Sequence, residues 1–488
     1  MEQITYVSTN KDLTIEQLLQ IKDIDPNIQG SFKEEVSFKD VIIMGQSPDT
    51  GLFVPTTFPQ ISTEEIDSLN GKPFSDCAYL LFRKFITPEE ISDRDLRDLV
   101  DDAYTFDYPL LKMDDGINLI MHTESPTGDF KNTGARANAR FLSKLREEGE
   151  YFIRATSTSG DTGGAVGLAD AGVDGLLSII LYPKGHVSDV QEEIMLKIGQ
   201  NTRVVGINDA MFSDIQDNLV KRLFSDPEVK KELGKLNVKL TSGNSINWGR
   251  VMPQIIHFLY SYANLAEDPN EICIFSTPQG NMGHGLSGEI LRKMGVPIYS
   301  VCPTNENDPF PRYLQSGIYR PLTDNEQNTK CMSNSMIVKN PSNLARLFNF
   351  YGGIVDKDGN VHRYPDIEEM KKYIYSSKVT MHEEDETIKR VYKDSGIIID
   401  PHGACAIKGL WDALDMFDVD PHDVLCIAQV TANPYKYVDH IESLIGVRPE
   451  KPKAYQWLDG RERVGITMDF DYDTFKNIVI DEARRMVK

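Results

Sequence analysis

A single lysine, Lys131, lies in a segment whose residue types could bind an aldehyde covalently. The segment, ESPTGDFKN (124–132), contains Pro and Gly and leads into small residues typical of a helix. The positive field at a helix start and burial beside Phe130 would both disfavour a charged ammonium on Lys131. A lysine that can lose its proton can attack an aldehyde and form an imine. From this segment alone, an ordinary solvated lysine on a loop is the alternative.

A second loop, TSTSGDTGGA (156–165), is rich in hydroxyl groups and glycine. It follows a predicted strand and opens a predicted helix, so its hydroxyls and backbone N–H groups would converge on a carboxylate or a phosphate. A capped turn is the alternative, but five hydroxyl residues within seven positions exceed what capping needs. The candidate binding residues here are Thr158, Ser159, Gly160, Asp161 and Thr162.

A third loop, QGNMGHG (279–285), also stands between a predicted strand and a predicted helix. Its three glycines would let the backbone approach a phosphate closely. No acidic residue follows a second strand at the distance that the dinucleotide fingerprint requires, and taken alone the loop is as consistent with an ordinary turn. The candidates in it are Gly280, Asn281, Met282, Gly283 and His284.

A fourth segment, TSGNSINWGR (241–250), could turn Asn244, Ser245 and Arg250 towards one pocket. A guanidinium there would suit a doubly charged phosphate. The alternative is an Asn/Ser helix cap with a surface arginine. A further hydroxyl, Thr431 in QVTANP (429–434), stands at the end of a predicted strand, where the ring of a cofactor would lie.

Neither a metal site nor a hydrolase triad is indicated. The nine histidines show no HxH or HExxH spacing, and no GxSxG elbow occurs. The six cysteines lie far apart without a CxxC pair, which predicts buried free thiols in a reducing compartment. They are Cys77, Cys273, Cys302, Cys331, Cys405 and Cys426.

Composition narrows the class of protein. The 488 residues exceed what one compact core needs, and 40% of them are hydrophobic, which predicts a globular chain of two or three units. The formal net charge of −22 argues against binding to nucleic acid or to an anionic membrane. We find no secretory signal in residues 1–20 and no apolar stretch of about 18 residues, so a cytoplasmic location is expected.

From about residue 150 the hydrophobic pattern alternates between strand and helix periods. Such alternation predicts parallel sheets covered by helices, with ligands at the carboxyl ends of the strands. The predicted strands are Tyr151–Thr156, Leu176–Tyr182, Thr202–Ile207, Glu271–Ser276, Ile298–Val301 and Val424–Gln429. The predicted helices include Val187–Ile198, Met211–Phe224, Leu286–Lys293 and Tyr437–Leu444.

The first 105 residues differ from the rest and predict a helical unit packed against the catalytic part. It contains two acidic amphipathic segments, Ser62–Ser68 and Pro88–Ala103. We therefore predict three domains, 1–105, 106–250 with the lysine, and 251–488 with the glycine loop. The polar region Asn305–Asn334 and the acidic stretch Ser376–Glu386 are expected to be loops or insertions.

A series of motifs follows the order of a known family. They include YVST and VSFKDVIIMGQSPDTGLFVP near the start, then SGDTG, YPKGHVSDVQE, NSINWGR and GNMG. SNSM followed by PSN, DPHGA and TANP complete the set. The chain resembles threonine synthases of the long, fungal and enterobacterial type over nearly its whole length. NSINWxR beside SGDTG is highly specific to that family.

The resemblance implies a fold and a cofactor. The implied fold is α/β, that of a fold-type II pyridoxal phosphate enzyme similar to the tryptophan synthase β chain. It has two open twisted α/β domains with the site between them, plus an N-terminal helical domain. Lys131 would bind pyridoxal 5′-phosphate as an imine and then move protons, next to Phe130. The loop from Gly280 to Gly283 would hold the cofactor phosphate, with His284 also at the cofactor, and Thr431 would hydrogen-bond the pyridine nitrogen.

The resemblance also implies the reaction, conversion of O-phospho-L-homoserine and water to L-threonine and phosphate. Ser159, Gly160 and Asp161 would bind the substrate carboxylate or the ring hydroxyl. The substrate phosphate would be bound by Thr158, Thr162, Asn244, Ser245 and Arg250. The oligomeric state, monomer or homodimer, is left open.

Four positions depart from the family's usual residues, namely Glu124, Asn132, Ile337 and Asn433. They keep a second hypothesis open, a divergent enzyme on another phosphorylated or activated amino acid that only eliminates phosphate or performs a replacement. A third hypothesis, a catalytically silent binding or regulatory homologue, is disfavoured by the intact lysine, SGDTG and glycine loop.

Overall fold

Two open sheets flanked by helices form the frame of the molecule. The computed structural model describes residues 3–22, 24–25, 28, 34–208 and 213–488. In these residues the strands are β1 (Tyr6–Ser8), β2 (Phe53–Pro55), β3 (Leu110–Lys112), β4 (Asn118–Met121), β5 (Tyr151–Ser157), β6 (Leu176–Pro183), β7 (Thr202–Ile207), β8 (Val238–Ser242), β9 (Cys273–Ser276), β10 (Ile298–Val301), β11 (Ile354–Val355), β12 (Val361–Arg363), β13 (Ile374–Tyr375), β14 (Leu425–Val430) and β15 (Ile466–Met468).

The helices cover both faces of the frame and build most of the N-terminal part. They are α1 (Ile15–Leu18), α2 (Phe38–Met44), α3 (Thr63–Ser68), α4 (Phe74–Phe85), α5 (Asp93–Ala103), α6 (Lys131–Leu145), α7 (Asp161–Asp170), α8 (Asp189–Leu196), α9 (Ser213–Ser225), α10 (Pro227–Gly234), α11 (Trp248–Val251), α12 (Ile255–Leu265), α13 (Gly283–Lys293), α14 (Pro309–Ser316), α15 (Leu344–Phe350), α16 (Ile367–Lys371), α17 (Met381–Ser395), α18 (Pro401–Phe417), α19 (Val438–Ile445) and α20 (Tyr472–Met486). Short 3-10 helices occur at His122–Glu124, Met252–Gln254, Asn334–Met336, Pro434–Tyr437 and Lys453–Leu458.

Both sheets are mostly parallel, as the alternating pattern predicts. The five-stranded sheet has the order β15-β7-β6-β5-β8, and all its pairs are parallel. The six-stranded sheet has the order β13-β10-β9-β14-β4-β3, and only the pair β3 and β4 is antiparallel. The two sheets do not follow the order of the chain. The early strands β3 and β4 belong to the six-stranded sheet, and the late strand β15 belongs to the five-stranded sheet. The predicted division into three domains stays a prediction.

Most predicted elements are present with small shifts at their ends. Strands β7 and β10 have the predicted bounds. Helix α9 begins among the described residues at Ser213, and the predicted start at Met211 lies outside them. Each of the six cysteines is buried and free, as expected.

Two regions predicted to be loops contain helices, so those predictions are wrong in part. Helix α14 begins inside the polar region at Pro309, whose ring fixes the backbone angle that the first helical position needs. Helix α17 begins inside the acidic stretch, where Thr380 accepts from the Glu383 N–H and the Glu383 side chain accepts from the Thr380 N–H. This reciprocal capping turns an acidic stretch into a stable helix start.

The N-terminal part packs its apolar side chains into the largest hydrophobic core. Helices α2, α4 and α5 contribute to this core together with α6 and α12. The small sheet of β1 and β2 lies beside them. Among the residues that the structure describes, no helix is long and apolar enough to cross a membrane.

Candidate active site

A cavity of about 990 Å³ lies between the two sheets. Its walls include residues that directly follow β5 and β8 of one sheet and β9 and β14 of the other. The predicted site residues in its lining are Phe130, Lys131, Thr158, Ser159, Thr162, Asn244, Ser245, Arg250, Gly280, Asn281, Met282, Gly283, His284 and Thr431. Gly160 and Asp161 are not part of the lining, but Oδ2 of Asp161 lies 3.6 Å from Nζ of Lys131.

Lys131 is the first residue of α6, and its surroundings fix it there. Oδ1 of Asp129 accepts a hydrogen bond from the Lys131 N–H at 3.0 Å. The amide of Asn132 donates to Oγ1 of Thr127 at 2.6 Å and to Oγ of Ser125 at 3.1 Å, which closes the turn before the helix. The Lys131 side chain is 14% exposed, and burial lowers its pKa from the ordinary value.

A second lysine, Lys436, lies in the same charged group and was missed at the level of sequence. Its Nζ donates to Oδ2 of Asp129 at 2.6 Å and to Oδ1 of Asp161 at 2.8 Å. It follows the TANP motif by two residues, at the carboxyl end of a strand. That position was the available signal, but only the fold reveals the two partners.

The loop at 156–165 is organised by its own side chain and by a close neighbour. Oγ1 of Thr158 accepts from the N–H groups of Gly160 and Gly163, both at 3.0 Å. Gly160 has φ 137°, and a Cβ there would lie 2.5 Å from the side chain of Gln191. The loop therefore requires glycine at 160, and Thr158 shapes it as well as lining the cavity.

The backbone of the glycine loop (279–285) lies very close to neighbouring atoms. A Cβ at Gly280 would lie 2.7 Å from the carbonyl oxygen of Ser335. Met282 adopts the left-handed conformation, φ 60°, and its own side chain does not cap helix α13, although Oε1 of Gln279 accepts from the Gly285 N–H at 3.3 Å. The first N–H groups of the helix, at Gly283 and His284, and its positive field suit an anion.

Arg250 is the second group suited to an anion. It lines the cavity at 2% exposure, and within the described ranges no carboxylate lies within 4 Å of its guanidinium. The guanidinium donates to the carbonyl of Gly243 and, at 3.4 Å, to that of Lys131, while its buried Nε has no partner. Burial lowers its pKa to about 9. The carboxylates of Asp129 and Asp170 act on Arg250 only through their electric field, and a buried cation without a carboxylate in contact favours an anionic ligand.

Neighbouring side chains hold this region in place. Oγ of Ser245 accepts from Nδ2 of Asn343 at 2.9 Å, and Asn343 also donates to the carbonyl of Asn281 at 3.0 Å. Nδ2 of Asn244 donates to the carbonyl of Ser157 at 3.1 Å. The motif PSN, which contains Asn343, thereby connects the glycine loop to the loop that carries Arg250.

Three buried histidines, His122, His257 and His284, lie together, and His284 also lines the cavity. Nδ1 of His257 and Nε2 of His284 are 2.8 Å apart, and the His284 ring stacks on Phe130 at 4.4 Å. Burial keeps the pKa of each imidazole below its ordinary value. The three are far apart in sequence, so spacing rules could not find them. In the structure they support the ring that precedes Lys131.

The four departures from the family's usual residues do not disrupt the cavity. Glu124 is exposed and does not line it. Asn132 closes the turn before α6, as described above. Asn433 donates from its side chain to the carbonyl of Thr123 at 3.3 Å and from its backbone to that of Gly128 at 2.8 Å. Ile337 is buried. Asn132 and Asn433 therefore stabilise the lysine loop.

Comparison with known sequences gives consistent matches. Residues 29–104 match the family model "Threonine synthase N terminus". The threonine synthase of Haemophilus influenzae is 31% identical over 441 residues, covering 90% of this chain and 96% of that protein. The threonine synthase of Buchnera aphidicola from Acyrthosiphon pisum is also 31% identical, covering 87% and 92%.

Solved structures agree with these matches. The crystal structure of threonine synthase from Escherichia coli has a TM-score of 0.80 and 26% identity, covering 98% of this chain and 99% of that one. A structure of PLP-bound threonine synthase from Brucella melitensis has a TM-score of 0.82 and 26% identity, covering 99% and 100%. Both the sequence and the fold match over almost the full length, and the chain belongs to the threonine synthase family.

Proposed function

We propose that this chain is a threonine synthase that uses Lys131 to bind pyridoxal 5′-phosphate and converts O-phospho-L-homoserine and water to L-threonine and phosphate. One observation carries the proposal. A single cavity brings Lys131 together with two groups suited to anions, the guanidinium of Arg250 and the start of α13 at Gly283. The cofactor and the substrate each carry a phosphate, so the reaction needs two anion-binding sites.

The residues present fit the cofactor. The close contact at Gly280 leaves no room for a side chain, and the N–H groups at the start of α13 would hold the cofactor phosphate. Thr431 lies at the end of β14 and would hydrogen-bond the pyridine nitrogen through its hydroxyl. Attachment to an aldehyde requires a neutral amine, and burial lowers the pKa of Lys131, which eases the loss of its proton. The proposed cofactor site also includes Phe130, Asn281, Met282 and His284.

The cofactor, when bound, withdraws electrons from the substrate so that phosphate can leave and water can add. This chain's residues provide the rest. Arg250, Asn244 and Ser245 would orient the substrate phosphate, together with the hydroxyls of Thr158 and Thr162. The Lys131 amine would carry protons between neighbouring carbons of the substrate. The cavity walls would limit water to the step that consumes it.

For the substrate carboxylate we propose the loop atoms of Ser159 and Gly160. Asp161 carries a negative charge that is already contacted by Lys131, Lys436 and the amide of Gln191, at 2.9 Å for the last. Such a group repels another carboxylate. We therefore propose that Asp161 holds the lysines of the site.

We also propose a cytoplasmic location for the protein. Six free, buried thiols are typical of a reducing compartment, and the charge of −22 does not suit binding to nucleic acid or to an anionic membrane. The divergent phospho-lyase is the less favoured hypothesis, since the departures that suggested it leave the cavity lining intact.

A lysine substitution tests this proposal. Lys131→Ala should abolish the visible absorbance of the lysine-bound cofactor and the release of phosphate from O-phosphohomoserine. Lys144→Ala is a matched control, because Lys144 lies on the same helix but is 44% exposed and pairs with Asp95. Retention of the visible band in Lys131→Ala would show that another residue binds the cofactor.

A further inference from the structure

Lys436 is a deeply buried lysine with a network of its own. Only 1% of its side chain is exposed, and both of its ion-pair partners, Asp129 and Asp161, are buried as well. The backbone before it is fixed, because Oδ1 of Asn433 accepts from the Tyr435 N–H at 2.9 Å. Burying an ammonium is costly unless it is paired, so this arrangement has to serve either stability or the reaction.

Two routes connect Lys436 with Lys131. Asp161 forms the first, because its Oδ1 contacts Lys436 and its Oδ2 lies 3.6 Å from Nζ of Lys131. Asp129 forms the second, because its Oδ2 contacts Lys436 and its Oδ1 accepts from the Lys131 N–H. Asp161 is therefore shared between the two lysines. Asp129 is shared between Lys436 and the backbone N–H at the start of α6.

The remaining contacts of Asp161 are neutral donors. Nε2 of Gln191 donates to Oδ1 at 2.9 Å, and Oγ of Ser335 donates to Oδ2 at 3.0 Å. The sole strong counter-charges that contact this carboxylate among the described residues are therefore the two lysines. Lys436 and Lys131 hold the pKa of Asp161 well below its ordinary value in spite of its burial.

We propose that Lys436 is a positioning residue that fixes Asp161 and Asp129 around Lys131 and limits how strongly these carboxylates retain a proton on the Lys131 nitrogen. The inference rests on the proposed function, in which Lys131 binds the cofactor. With Lys436 charged, each carboxylate is largely neutralised and Lys131 can lose its proton. Without that charge, Asp161 would face the Lys131 nitrogen and Asp129 would add its negative field, with no neighbouring ammonium to offset either carboxylate.

Other titratable groups around the network do not replace Lys436. Besides Lys436, the cation that acts on Lys131 is Arg250. At Asp161, the other positive contributions to the electric field come from Lys131 and His402. Tyr437 and Tyr455 are buried, and burial raises the pKa of both phenols above the ordinary value. They therefore stay neutral at physiological pH, and Lys436 is the cation that contacts both carboxylates.

The test is a pH titration of the visible band of the holoenzyme. Lys436→Met keeps an unbranched side chain that is one atom shorter and removes its charge, so the midpoint should rise by about one pH unit or more. Lys436→Arg restores the charge and should return the midpoint towards the wild-type value. Lys144→Met is the control and should leave the midpoint unchanged. An unchanged midpoint in a folded Lys436→Met protein overturns the proposal.

A second variant should shift the midpoint of the titration in the opposite direction. It keeps the proposal testable if Lys436→Met does not fold. Asp161→Asn removes a negative charge next to Lys131 and should lower the midpoint. An unchanged or raised midpoint in that variant also overturns the proposal. The proposed function fails in a different way, through retention of the band in Lys131→Ala, so the two failures are distinguishable.

Discussion

Nζ of Lys131 lies 3.6 Å from Oδ2 of Asp161, and this pair joins the start of one helix to the start of another. Lys131 begins α6 and Asp161 begins α7, so the pair forms where two loops meet at the cavity. Neither residue alone indicates a site, since a lysine in a turn and an aspartate at a helix start are both common. Their approach places an amine and a negatively charged carboxylate in one centre.

Arg250 should be needed for recognition of a phosphorylated substrate. Arg250→Ala removes a buried charge without a carboxylate partner, and we expect kcat/KM for O-phosphohomoserine to fall about 10²-fold or more. Steady-state kinetics of phosphate release measures this. Arg320→Ala is a control, because Arg320 is 58% exposed and pairs with Glu326. Equal kinetic constants in the two variants would exclude Arg250 from the substrate site.

Gly280 should be required for cofactor binding. Gly280→Ala places a Cβ 2.7 Å from a backbone oxygen that cannot easily move, so the glycine loop has to shift. We expect weaker binding of pyridoxal phosphate, measured by titration of the cofactor-free protein. Gly234→Ala is the matched control, since a Cβ there meets nothing within 4 Å. Unchanged affinity in Gly280→Ala would place the phosphate elsewhere.

The rate of cofactor attachment should depend on pH, with a midpoint below the ordinary lysine pKa of 10.5. Because burial lowers the pKa of Lys131 from an ordinary value of 10.5, its neutral form appears at lower pH than in a solvated lysine. The rate at which cofactor-free protein gains the visible band should therefore rise with pH and level off below pH 10.5. A rate that is still rising in proportion to hydroxide at pH 10.5 contradicts the burial of this amine.

A buried ion pair away from the chemistry should contribute to stability. Arg154 and Asp170 are both fully buried and form an ion pair, and Asp170 also accepts from Ser178. Asp170→Asn leaves an uncompensated guanidinium and should lower the free energy of unfolding by about 3 kcal/mol. Asp98→Asn, in an exposed pair with Arg94, should cost about 0.5 kcal/mol. Denaturant unfolding compares the two, and equal losses would contradict this assignment.

The parallel sheets and most strand positions could be predicted because buried strands have simple signals. Strands β7 and β10 are short apolar runs bounded by turns, and their ends follow from that pattern. The start of α17 was missed because an acidic composition was given more weight than the capping pair Thr380 and Glu383. Local capping geometry decides such helices, and it is easily hidden in a charged segment.

The candidate site could be predicted in its loops but not in its supporting contacts. Lys131 and Arg250 lie in recognisable motifs, each beside a helix start. Lys436 and the histidine cluster depend on residues up to 307 positions apart, as in the contact between Lys436 and Asp129. No local pattern encodes such a pairing, because it follows from how β14 lies next to β4 in the sheet.

The most direct test of the central claim is a product balance with O-phospho-L-homoserine. The purified holoenzyme is incubated with this substrate, and phosphate, threonine and 2-oxobutyrate are measured in the same sample. A threonine synthase should release phosphate and threonine in equal amounts, with little 2-oxobutyrate. Phosphate accompanied by 2-oxobutyrate in place of threonine, or no turnover of this substrate, would contradict the account.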